Sequence, residues 1–295
     1  MEFNVPAFRP HQFANRKRNI DKAVNGLIGI LSGVTADTKL NQNELMYLNI
    51  WLKSQSSLRD DPDAIDLLDL IADVVEDGAV SSEEMHDLLT LCNDVVTYRS
   101  SEDEGIYEAK INEFLGVLQG VVADGSVNRQ EFDFLIGWLR ENDVVEDDWL
   151  VEQVVSRANQ IMSDGIVTQG ELTEFGDLVK QLTGYQFNET GSAECSSIAY
   201  LEDSIEKIEQ DSLICFTGTF VSGSRRILEG LAVSKGLKPK NRITKSLNYL
   251  VIGELVTPDW RFQSYGRKIE QAVKYREEGI PIKILSEKNW TQLID

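Results

Sequence analysis

The chain has 295 residues, of which 42% are hydrophobic and 26% charged, with a formal net charge of −20. That length holds two domains of ordinary size, and the composition excludes a disordered or low-complexity chain. No apolar run of about 18 residues occurs, so no membrane-spanning helix is expected.

The charge is divided. From Asp211 onward there are 14 Lys and Arg against 9 Asp and Glu, a net of +5, which leaves −25 for residues 1–210. An acidic body repels a phosphate backbone, so any anion is expected to bind in the last third. The opening MEFNVPAFRPHQF lacks a basic stretch followed by an apolar one, and the expected compartment is the cytoplasm. Cys92, Cys195 and Cys215 are scattered without a C-x-x-C pair. They fit a reducing compartment and suggest neither a disulfide framework nor a zinc site.

Residues 1–18 are expected as a tail, with an extra helix near Asn15–Val24. Residues 19–183 then repeat. GLIGILSGVTADTKLNQNELMYLNIWLK (26–53) matches FLGVLQGVVADGSVNRQEFDFLIGWLR (114–140) at an offset of 87, and DGAVSSEE (77–84) falls on DGIVTQGE (164–171). Apolar residues at Met85, Leu88, Leu89, Cys92, Val95 and Val96, and before them Ile65, Leu68, Ile71 and Val75, follow the spacing of one buried helical face. Each unit reads as helix–turn–helix, and four units predict an all-α, eight-helix bundle built by internal duplication.

Each turn carries an Asp followed seven residues later by a Glu: Asp37 and Glu44, Asp77 and Glu84, Asp124 and Glu131, Asp164 and Glu171. One reading is a divalent-metal site, because the spacing matches the second half of an EF-hand loop. The other is turn chemistry. Gly78, Gly125 and Gly165 stand where a finishing helix takes a left-handed residue, and Asn41, Ser81, Asn128 and Thr168 are N-caps with Glu three residues on. Turn chemistry accounts for more positions, since the two upstream acids of a calcium loop are largely missing. ADG-x-V-x-x-x-E between amphipathic helices resembles the TerB-like helical domains associated with tellurite resistance. That resemblance implies metal binding through acidic residues, from which Thr38-Lys39 in the first unit departs.

Residues 184–211 are the expected linker, polar at first and then IAYLEDSIEKIEQD, read as a short acidic helix that caps one of the domains. From residue 212 to 295 strand and helix alternate. SLICFTG, NYLVIG and IPIKIL are buried strands. SRRILEGLAVSKG, GRKIEQAVKYREEG and SEKNWTQLI are helices, so a small α/β domain with a parallel sheet is expected. GTFVSGSR (218–225) has the glycine spacing of a P-loop but lacks its Lys-Ser/Thr pair, so nucleotide hydrolysis is not expected.

CFTGTF (215–220), Ala232 with Gly236, ITKSLNYLVIG (243–253), GRKIEQA (266–272), GIPIKIL (279–285) and Trp290 together resemble the BRCT domain of bacterial NAD-dependent DNA ligases and of stand-alone bacterial BRCT proteins. The resemblance implies a four-stranded parallel sheet, no catalysis, and binding of partner proteins, phosphopeptides or DNA ends. It further implies a phosphate site at Thr217, Gly218, Arg225 and Lys268, with Trp260, Phe262 and Tyr265 extending the contact surface.

No H-E-x-x-H, G-x-S-x-G or G-x-G-x-x-G motif occurs, and the two histidines, His11 and His86, are isolated. The chain therefore reads as a non-enzymatic adaptor in bacterial DNA repair, replication, stress response or phage defence. It is expected to have a protein partner, no membrane and no organic cofactor. The alternative is a divalent-metal stress sensor that works through the Asp/Glu turns.

Overall fold

A computed structural model describes residues 10–76, 82–99, 107–185, 201–218, 220–253 and 266–294. Eight helices come first: α1 (Pro10–Val34), α2 (Gln42–Ser54), α3 (Pro62–Glu76), α4 (Ser82–Arg99), α5 (Tyr107–Val121), α6 (Arg129–Glu141), α7 (Trp149–Met162) and α8 (Gln169–Thr183). The expected extra helix is the first part of α1, which starts at Pro10, inside the segment read as a tail. Proline suits a helix's first turn, where its missing N–H has no partner to lose, and no Gly or Pro interrupts the following fifteen residues.

The two halves join through α1 and α5, which run parallel and very close. A Cβ added at Gly29 would stand 1.9 Å from the carbonyl oxygen of Glu113, and one at Gly116 would stand 2.3 Å from that of Gly26. One turn later Gly33 faces Val117 and Gly120, and Gly120 faces Ile30 and Gly33. Residue 29 meets the 113–117 stretch and residue 33 meets 117–121, so the repeat's own glycines pack against each other across an approximate two-fold axis. Around this seam lie Leu27, Ile30, Leu31, Phe114, Val117 and Leu118, all buried.

The α/β part holds β1 (Leu213–Thr217), α9 (Arg225–Ser234), β2 (Lys238–Lys240), β3 (Tyr249–Ile252), α10 (Arg267–Glu277), β4 (Lys283–Ser286) and α11 (Glu287–Ile294). All strand pairs are parallel, in the order β2-β1-β3-β4. Alternation sorts the side chains. Cys215, Leu250, Ile252 and Ile284 face Ile269, Ala272 and Val273 of α10. Ile214, Phe216, Tyr249, Val251 and Leu285 face Leu228 and Ala232 of α9 and Trp290 of α11. The strand Lys238-Pro239-Lys240 has no apolar period, and its lysines and proline suit an outer edge that must not pair further.

The described end of the linker is not helical beyond Leu201. It lies along the other edge strand, β4. Asp203 donates its N–H to Ile284 O at 2.7 Å and accepts the Ile284 N–H at 2.7 Å, while Glu202 accepts from Ser286 N at 2.7 Å. The acids expected to cap a domain as a helix instead cover an open sheet edge as extended chain. Among the described residues no helix is long and apolar enough to cross a membrane.

Candidate functional site

Two places gather the chemistry, and each follows from the fold. The first is the carboxyl end of the sheet. β1 is followed through α9 by β2 on one side, whereas β3 lies on the other side of β1. The connections part there, so topology marks the strand ends of β1 and β3 as the crevice position at which parallel sheets bind ligands. Thr217 ends β1, with Gly218 (φ 91°) after it, and the Thr217 carbonyl accepts the Gly253 N–H at 2.9 Å, closing the floor.

Lys268 reaches into this crevice from the first turn of α10. Its ammonium donates to Phe216 O at 3.1 Å and to Cys215 Sγ at 3.4 Å. Lys268 is half-buried and has no carboxylate partner among the described residues. Thr217 is 6% exposed, and its hydroxyl makes no hydrogen bond among the described residues. Burial pushes the Cys215 thiol above its ordinary range, while the charge of Lys268 and then that of Arg225 draw it back. Both cations therefore stand about the end of β1.

Two helix N-termini in this domain have no side-chain caps, that of α9 after Ser224 and that of α10 after Gly266. Their first turns carry Arg225, Arg226, Arg267 and Lys268, with Glu270 of α10 the acid among them. Positive charge at the positive end of a helix dipole is unfavourable by about 0.3–1 kcal/mol per charge, and an anion would offset it.

The four residues expected to hold phosphate are thus brought together, with one correction. The loop after β1 does not offer all its backbone donors. Glu287, 3% exposed at the start of α11, accepts the N–H of Val221 at 2.9 Å and of Ser222 at 2.6 Å, and also the Ser222 hydroxyl. These N–H groups are taken up in holding the loop's shape. Sequence reasoning missed Glu287, because its partners lie about 65 residues away and no local pattern marks it. Trp260, Phe262 and Tyr265 lie outside the described residues.

The second place is the meeting of the first and third turns. Because α1 and α5 run side by side, Asp37 and Asp124 arrive together. Asn41 Nδ2 donates to Asp124 Oδ2 at 3.1 Å, and Asn128 Nδ2 donates to Asp37 Oδ2 at 3.0 Å. Glu44 and Glu131, each 3% exposed, close full capping boxes by accepting the N–H of Asn41 and of Asn128, both at 2.7 Å. Burial pushes the Glu44 carboxyl up to about 8, with Asp124, Glu131 and Asp37 adding to it against the Asn41 hydrogen bond. Glu131 is raised to about 7, again chiefly by burial and then by Asp124 and Asp37.

Of the eight residues weighed as metal ligands, these four come together. Asp164 and Glu171 stand apart at their own turn, where Asp164 accepts the Ile166 N–H and Glu171 closes a capping box with Thr168. Glu84 lies in the first turn of α4, and Asp77 falls outside the described residues, as do Gly78 and Ser81. Among the described residues no group of three or more acidic, His or Cys side chains is arranged to hold a metal ion. Every oxygen named above serves a turn or a cap.

No family model, no curated protein and no solved structure matches the chain.

Proposed function

We propose that this chain is a non-enzymatic adaptor whose α/β domain is BRCT-like and grips a phosphate, on a phosphorylated protein or a DNA end, between β1 and β3. The observation that carries the reading is Lys268, a half-buried ammonium whose hydrogen bonds among the described residues go to neutral acceptors, beside a Thr217 hydroxyl that makes no hydrogen bond among those residues. An anion there would meet a charge-assisted donor, a hydroxyl and two uncapped helix ends. The four-stranded parallel sheet with helices on both faces agrees with what the BRCT resemblance implies. The acidic TerB-like body, repelled by nucleic acid, engages a second protein. Bacterial DNA repair, replication, stress response or phage defence is the setting this pairing suits.

The test is a titration with 5′-phosphorylated duplex DNA, its unphosphorylated twin, and a phosphopeptide with its unmodified form, at about 0.15 M salt. A preference for a phosphorylated member, weakened about tenfold by Thr217→Ala or Lys268→Ala, is expected. Equal affinity within both pairs rejects the reading.

A divalent-metal sensor is the second reading. It is favoured by four carboxylates meeting at one place, Asp37 and Asp124 after the ends of α1 and α5 and Glu44 and Glu131 in the first turns of α2 and α6. Calorimetry with calcium, magnesium and manganese decides it. A flat trace at about millimolar metal, the weak end for protein calcium sites, rejects it.

A further inference from the structure

The duplication supplies an internal control that points to a binding groove away from the crevice. In the first copy α2 packs on α3, whereas in the second α6 and α7 stand apart across a cavity of about 600 Å³. The offset of 87 that aligns the copies shows which residues differ there. Ile71 and Leu68 of α3 become Ala158 and Val155 of α7, while Ala64 becomes Val151, so side-chain volume moves from the middle of α7 toward its start. Asn49 of α2 becomes Ile136 of α6, so the space is also more apolar. A floor of Val145, Val151 and Ala158 is buried, while Leu139, Val155 and Met162 form half-exposed walls. Protein interiors close such gaps unless something else fills them.

We infer that this groove between α6 and α7 binds a cationic amphipathic helix of a partner protein. Its length along α7, from Val151 to Met162, is about 16 Å at 1.5 Å per residue, or three helical turns. Anchors at i, i+3 or i+4, and i+7 on a partner helix match that length. Charge selects the sign of the partner. Glu146 and Glu152 are exposed at the mouth, and Glu141, Asp143 and Asp147 are exposed beside it on the same turn. The one cation lining the groove is Arg140. At the aligned positions the first copy has Arg59 in place of Glu146 and Ile65 in place of Glu152.

The test uses the full chain and a fluorescein-labelled peptide of about 18 residues, made of Leu and Lys with Leu at helical spacing. The controls are the same composition scrambled and a Leu/Glu version. Fluorescence anisotropy at about 0.15 M salt is expected to show the amphipathic Leu/Lys peptide binding about tenfold tighter than either control. Ala158→Ile restores the first copy's residue and is expected to weaken binding about tenfold while the melting temperature holds or rises. If that substitution overpacks and lowers the melting temperature, Val155→Lys, which sets a cation at the half-exposed wall, supplies the same readout. Equal binding of scrambled and amphipathic peptides, or binding that neither substitution moves, overturns the groove. Equal binding of the Leu/Glu peptide overturns the cationic partner.

Discussion

Asn128 on α6's cap donates to Asp37 at the end of α1, 3.0 Å across the seam between the two copies. The reciprocal bond, Asn41 to Asp124 at 3.1 Å, makes the seam symmetrical. Each Asn thus has two roles, because its Oδ1 caps its own helix while its Nδ2 ties the other copy. The arrangement gathers four carboxylates, and the two that are buried, Glu44 and Glu131, bear the consequence.

Their folded-state values, about 8 and about 7, lie above the ordinary 4.5. The folded chain therefore holds more protons than the unfolded chain between those limits, and stability must fall as pH rises through the window. The contribution is most favourable below about 4.5 and is lost progressively up to about 8. Denaturant titrations at pH 6 and pH 8.5 are expected to differ by up to about 4 kcal/mol, with the lower pH more stable. Glu44→Gln mimics the protonated form and should flatten that slope. A slope unchanged by Glu44→Gln would assign the effect to the general acidity of the body.

The first turn takes the same left-handed backbone as the third and fourth, but with a residue unsuited to it. Gly125 and Gly165 take φ of 90° and 78°, and the corresponding residue of the first unit, Thr38, takes φ of 62°. A β-branched residue there meets its own carbonyl, which costs about 1–2 kcal/mol. Thr38→Gly relieves it, partly offset by the greater freedom glycine has when unfolded. A net gain of about 0.5–1 kcal/mol by chemical denaturation is expected. Gly125→Ala should move stability the other way.

These turns were the most legible part of the chain, since a cap, a left-handed residue and a periodic apolar face are all local. The helices around Asn41, Asn128 and Thr168 begin where their capping boxes predict. The strands β1, β3 and β4 appear where short apolar runs end in turns. Lys238–Lys240 carries no such run, and only the BRCT resemblance implied a fourth strand. What periodicity cannot carry is which distant segments meet. Gly29, Gly33, Gly116 and Gly120 stood out as repeated residues, yet their meaning as a seam needed the pairing of α1 with α5. The contact of Lys268 with β1 was implied by family resemblance, whereas the clamp by Glu287 was implied by nothing within the sequence.

The seam itself can be tested by adding one methyl group. At Gly29 and Gly116 the nearest atoms to a new Cβ are backbone carbonyl oxygens at 1.9 and 2.3 Å, and those cannot rotate away. Gly29→Ala and Gly116→Ala must therefore separate α1 from α5 and strip contacts from Leu27, Ile30, Phe114 and Val117. A loss of about 3 kcal/mol or more is expected, despite alanine's better helix propensity of about 1 kcal/mol. Gly137, on α6 with nothing within 4 Å, is the control, and its replacement by Ala should stabilise. Equal melting temperatures for the Gly29 and Gly137 variants would contradict the close approach.

Glu287 ties the loop after β1 to α11, and its removal should separate loop order from sheet stability. Its carboxylate accepts three donors from Val221 and Ser222, while Trp290, one turn further on, is fully buried against Phe216. Glu287→Ala leaves the carboxylate's donors to water, and because Val221 and Ser222 are exposed the loss should be about 2 kcal/mol rather than the full desolvation penalty. Glu287→Gln keeps one acceptor oxygen and should lose about half as much. Limited proteolysis is the direct readout, with cleavage between Phe220 and Ser224 faster in Glu287→Ala while the Trp290 emission stays that of a buried indole. The phosphate binding proposed above should weaken with it, since the loop leads into Arg225. Unchanged cleavage would mean that the loop holds its shape through its own turns and that Glu287 serves only to start α11.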